Sequence, residues 1–115
     1  MSEHEQSKAI RKMADRIVKG YQAVHEKNYQ EAKELLEPLL PLFHHDEKPN
    51  ITLLSYTCIA QIGSKDIDAF LKSYEELKTF EPTTEKETAL IQRVDDMFEE
   101  LMSAISVNRD DSTKR

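Results

Sequence analysis

The stretch Pro49–Gly63, PNITLLSYTCIAQIG, contains no Asp, Glu, Lys or Arg, in a chain where charged residues make up 33% of the sequence. Its apolar groups fall on nearly every side of a helix: Ile51, Leu53, Leu54, Tyr56, Cys58, Ile59, Ala60 and Ile62. A helix that is apolar all round has to be wrapped by other elements. It is shorter than the roughly 20 residues needed to cross a bilayer, so a buried core helix is the reading that fits. Whatever this chain folds into must supply neighbours around that helix.

The flanking segments have the pattern required of such neighbours. With 115 residues the chain makes one domain, large enough to bury most of its apolar side chains without staples. Two glycines and four prolines, set against abundant Glu, Lys, Leu and Ala, point to an all-α chain. Five helices are expected, roughly over residues 3–26, 29–43, 50–63, 66–80 and 84–106, forming a single domain over 1–107. The segment 108–115, NRDDSTKR, has no apolar residue and is expected to be a disordered tail.

Each helix carries its own signals. The first has the stripe Ile10, Met13, Ile17, Tyr21 and Val24, with Ser2 and Glu5 as a capping pair and Lys8, Arg11, Lys12, Arg16 and Lys19 on its outer sides. The second opens at Asn28 with Glu31 three residues on. It meets Pro38 and Pro41, which predict a kink near Glu37–Pro38 and an end by Phe43, since an interior proline costs ~3 kcal/mol. Asn50 caps the central helix. The fourth helix shows Ile67, Phe70, Leu71, Tyr74 and Leu77 on one face and stops at Glu81-Pro82. Thr84 and Glu87 form a capping box before the fifth, which carries Leu90, Val94, Met97, Phe98, Leu101 and Ile105 against an acidic back of Asp95, Asp96, Glu99 and Glu100.

Several function classes are set aside. The net charge of −6 argues against nucleic acid as the main partner, because phosphate binding needs a clustered basic surface. GxSxG, P-loop, GxGxxG, HExxH and ExxH patterns are absent, so no catalytic residue and no cofactor is expected and the chain reads as a non-enzyme. His44-His45-Asp46-Glu47 holds ligand-type residues, but adjacent positions do not converge on one centre, and a solvated loop is expected there in place of a metal site. Cys58 lies in the uncharged run and reads as a packed thiol. The opening MSEHEQSK is polar and unlike a signal peptide, so a cytoplasmic location with no membrane partner is the expectation.

An internal match appears when Gly20 is set over Cys58, thirty-eight residues on. Asn28-Tyr29 then falls over Asp66-Ile67, Ala32 over Phe70, Leu36 over Tyr74 and Leu39 over Leu77. On these residues the chain resembles the tetratricopeptide repeat family across roughly residues 14–82. Gly20 is the small residue at close helix packing, Asn28-Tyr29 mark the turn, Ala32 follows, and Pro82 closes the second pair. The pattern departs at Phe70, where the family prefers a small residue, at Pro38, Pro41 and His44, and in a period longer than the family's roughly 34 residues. An unrelated five-helix bundle is the competing architecture.

The resemblance implies a right-handed superhelical array of two hairpins and a capping helix, with a groove lined by the first helix of each pair. Mapped here, that lining is Ile17, Tyr21, Val24 and His25 with Thr52, Ser55, Ile59 and Ile62. The lysines and asparagines that clamp a C-terminal carboxylate in some members are missing from these positions. An apolar, hydroxyl-bearing groove suits a partner peptide or amphipathic helix, as in a small adaptor or regulator. The same residues also fit packing by the chain's own fifth helix or by a second copy. A self-associating structural protein and a small client-specific chaperone are therefore the competing functions.

Overall fold

The computed structural model describes residues 3–113, with side chains from Ser7 to Ser106. Six α-helical segments follow one another: α1 (Glu3–His25), α2 (Tyr29–Leu36), α3 (Leu40–Phe43), α4 (Ile51–Gly63), α5 (Ile67–Leu77) and α6 (Glu85–Thr113). A 3₁₀ turn, Glu37–Leu39, joins α2 to α3, so the two short helices form one interrupted rod. The described residues are all-helical apart from turns and a single bridge between His45 and Lys48. The interruption falls where Pro38 and Pro41 stand. Each proline occupies the first turn of its new helical segment, where a missing N–H is harmless.

The uncharged helix α4 is the centre. Ile51, Leu53 through Ala60 and Gln61 are all buried, and α1, α2, α3, α5 and α6 pack around it. From α1 come Ala23 and Val24, from α2 Ala32 and Leu36, from α5 Phe70 and Leu77, and from α6 Leu90 and Val94. None of the described helices is long and apolar enough to cross a membrane.

Capping decides where the helices begin. Asn50 Oδ1 accepts from Leu53 N–H at 3.0 Å and Asp66 Oδ1 from Ala69 N–H at 3.3 Å. Asn28 holds the corresponding place before α2 but makes no side-chain cap. Ahead of α6, Thr84 Oγ1 accepts from Glu87 N–H, while the Glu87 carboxylate reaches back one residue further than a simple box, to Thr83 N–H at 2.7 Å. The Thr83 N–H, with the Thr83 hydroxyl at the same oxygen, holds the Glu87 carboxyl below its usual range. The expected pair of Ser2 and Glu5 lies outside the described side chains. At the other end α6 is helical through Thr113.

The two hairpin turns share one construction. Lys27 and Lys65 adopt the left-handed backbone, with φ of 63° and 68°. Asn28 N–H reaches Ala23 O at 2.8 Å and Lys27 N–H reaches Val24 O at 3.0 Å. Thirty-eight residues on, Asp66 N–H reaches Gln61 O at 2.9 Å and Lys65 N–H reaches Ile62 O at 3.0 Å. Both helices thus end in the same paired C-terminal bonds.

Two glycines permit close approach. A Cβ on Gly20 would collide with Leu36, and one on Gly63 would collide with the base of the Tyr29 ring. Leu36 is fully buried and has nowhere to move. Gly20→Ala therefore lowers stability by ~1–3 kcal/mol through overpacking, despite the ~1 kcal/mol that alanine offers a helix, as chemical denaturation will show.

An ion pair also ties α2 to the turn before α5, with Lys33 Nζ 2.7 Å from Asp66 Oδ2. The Lys33 ammonium, followed by the Ala69 N–H, holds the Asp66 carboxyl below its ordinary value. A carboxylate with a depressed folded pKa stabilises above its unfolded pKa and loses that contribution as pH falls through the folded one. Asp66→Asn keeps the cap and removes the pair. Its urea midpoint will therefore fall less steeply than the parent's as pH is lowered below about 4.

Candidate functional site

The eight residues proposed as a groove lining separate by depth. Val24, Ser55 and Ile59 are completely buried, so they belong to the core and offer no surface to a ligand. Ile17, Tyr21, Thr52 and Ile62 are half-buried, and His25 is exposed. The floor of any cleft along α4 is therefore closed within the chain itself, because side chains of the surrounding helices meet over it. What stays accessible is the seam between α1 and α4.

That seam is organised by aromatic side chains. Tyr21 on α1 and Tyr56 on α4 stack with ring centroids 4.1 Å apart and planes 19° from parallel. His25, one helical turn beyond Tyr21, places Nε2 3.0 Å from the Tyr56 hydroxyl and meets the Tyr56 ring edge-on. Burial, reinforced by the neighbouring Tyr56, pushes the Tyr21 hydroxyl up to about 12, so at neutral pH it stays a neutral phenol. Val18, three residues before Tyr21 and two turns before His25 on the same side of α1, is 62% exposed although it is β-branched and apolar. The seam therefore offers stacked rings, an imidazole and an uncovered valine.

A second aromatic cluster joins α5 to α6. Tyr74 stacks on Phe98 at 4.5 Å and on Phe70 at 5.5 Å. Its hydroxyl donates to Asp95 Oδ1 at 2.7 Å, and Lys78 Nζ meets the same carboxylate at 3.0 Å. Burial, together with that carboxylate acceptor, raises the Tyr74 hydroxyl well above the usual phenol range. Cys58 is fully buried, and burial raises its thiol pKa strongly, so the sulfur is held as an unreactive thiol.

The His44–Glu47 segment departs from the solvated loop expected of it. His45 and Lys48 exchange backbone bonds that close a tight turn, which folds His44 inward to 9% exposure. Asn50 N–H donates to His44 Nδ1 at 2.8 Å, so the ring proton must sit on Nε2, which donates to Glu76 Oε2 at 2.6 Å. Phe80 packs edge-on against the ring. One imidazole thereby links the end of α3, the start of α4 and the outer part of α5. Among the described residues no group of His, Cys, Asp and Glu has metal-binding geometry. The clamp was beyond reach of sequence reasoning, because Glu76 lies thirty-two residues away and no local pattern pairs it with His44.

Comparison with known protein families, curated proteins and solved structures finds no match for this chain.

His44→Ala leaves the Asn50 N–H and the Glu76 carboxylate without their shared partner. Stability is expected to fall by ~1–3 kcal/mol, measured as a shift in the urea midpoint at unchanged slope.

Proposed function

We propose that this chain is a small non-catalytic interaction module, an adaptor or regulator built as a tetratricopeptide-like array of two hairpins and a capping helix. It holds a peptide or amphipathic helix of another protein along the seam of α1 and α4. The partner lies across Val18, Tyr21, His25, Thr52 and Ile62; it does not enter a deep groove, because Ser55 and Ile59 are closed off.

The observation that carries this reading is Val18, 62% exposed beside the stacked pair Tyr21 and Tyr56. Aromatic anchors next to uncovered aliphatic surface are the usual composition of a binding hot spot. The repeat-like layout adds support through the shared hydrogen-bond register of the two turns, which gives α1 and α4 equivalent places in their hairpins.

A photo-crosslinking residue placed at Val18 should trap a discrete partner in the native cell, while the same group at Lys72, on the outer side of α5, should not. Equal trapping from both positions, or none from Val18, would sink the proposal. Once the partner is in hand, Val18→Asp is expected to weaken binding by about tenfold or more while leaving the melting temperature unchanged.

A further inference from the structure

We infer that the ends of α1 and α6 that run past the core form the two halves of an interface with a second copy of this chain. In α1 the first residue packed on the core is Ile17, and in α6 the last is Leu101. The two free ends lie at opposite poles of the molecule. Tyr21 and His25 meet Tyr56, and Tyr29, just after α1, lies against Gly63 at the end of α4, so α1 and α4 run in parallel. Phe98 beside Phe70 and Asp95 beside Tyr74 and Lys78 set α6 antiparallel to α5 and hence parallel to α4. The N-terminal end of α1 thus projects at one pole and the C-terminal end of α6 at the other, consistent with a length of 69 Å against widths of 28 and 21 Å.

Each free end continues an apolar stripe with nothing packed on it. In α1 the stripe beyond Ile17 is Ile10, Met13 and Ala14, with Ile10 58% exposed. In α6 the stripe beyond Leu101 is Met102 and Ile105, with Ile105 42% exposed. The stripes carry opposite charge along their borders. At about 100° per residue, Arg11 and Arg16 fall on either side of the first stripe, and Glu99 and Glu100 on either side of the second. All four are exposed, and none forms an ion pair with a described residue. Within one copy the two borders do not meet, because α4 stands between α1 and α6.

A second copy related by a two-fold axis answers both ends at once. It lays its α1 antiparallel on the first copy's α6 and its α6 on the first copy's α1. Arginines then face glutamates at each pole, and the positive N-terminal pole of one helix meets the negative C-terminal pole of the other. Such an interface is self-complementary and closes as a dimer. A second copy is the occupant because it supplies both apolar stripes, with matched signs, at the separation set by the molecule's own length.

Light scattering of the full chain across a concentration series tests this. At low salt the mass is expected to rise toward twice 13.4 kDa, and to return to the monomer as salt screens the charged borders. Arg11→Glu with Arg16→Glu, and separately Glu99→Lys with Glu100→Lys, should each stay monomeric while keeping the parent's helical content. An equimolar mixture of the two should recover the dimer. A parent chain that is monomeric throughout, a dimer unaffected by either reversal, or a mixture that fails to associate would each overturn the inference. The residues involved are separate from Val18 and Thr52, so this outcome is independent of partner binding at the seam.

Discussion

Everything in this molecule depends on keeping one uncharged helix dry. α4 presents buried residues in every direction, and apolar surface left in water costs ~25 cal/mol per Å². A single layer of neighbours on one side would leave half of that surface wet. Five segments therefore surround it: its hairpin partner α5, the first hairpin α1–α2, and the flanking α3 and α6. Of the polar groups inside α4, Thr57 Oγ1 donates within its own helix to Leu53 O at 2.8 Å, and Gln61 Nε2 donates across to Glu37 Oε2 at 2.8 Å.

Hydrophobic burial alone would permit many arrangements of helices around such a rod. Shape and polar complementarity select among them. Gly20 and Gly63 allow α2 to approach α1 and α4 at distances no side chain would permit, with Leu36 and Tyr29 filling the space. His44 then joins three segments through two hydrogen bonds of fixed polarity. Lys33 and Asp66 join α2 to the second turn from outside. Each device acts between segments far apart in the chain, so together they discriminate against slipped pairings that would bury similar area.

The same packing divides the surface into regions with different capacities. Near α4 the accessible residues are those at the margins of the α1–α4 seam, where Tyr21, His25 and Val18 stand beside one another. Away from α4, the longer helices α1 and α6 outrun their neighbours and keep amphipathic faces that no described part of the chain covers. Seam and ends are thus separate surfaces. One is shaped by aromatic stacking, the other by apolar stripes bordered with charge.

Much of the fold was legible in the sequence, because the signals involved are local. A charge-free run declares a wrapped helix, steps of three and four residues declare its neighbours, and prolines at 38 and 41 declare a break in the rod. The thirty-eight-residue self-match was visible too, since turn chemistry depends on a few adjacent residues, and Lys27-Asn28 and Lys65-Asp66 carry it. The binding surface was less legible. Helical periodicity placed Ser55 and Ile59 on one face with Thr52 and Ile62, but exposure depends on how closely neighbouring helices meet over that face, which periodicity does not encode.

Sequence by itself determined the secondary structure, the central place of α4 and the opposite charges of α1 and α6, all properties carried by residues a few positions apart. Tertiary structure alone decided that the cleft floor is closed, that His44 turns inward to Glu76, and that the charged helices stand apart with their ends uncovered. The physical reason is that burial and pairing are set by distances between segments, and those distances exist only once the chain has packed.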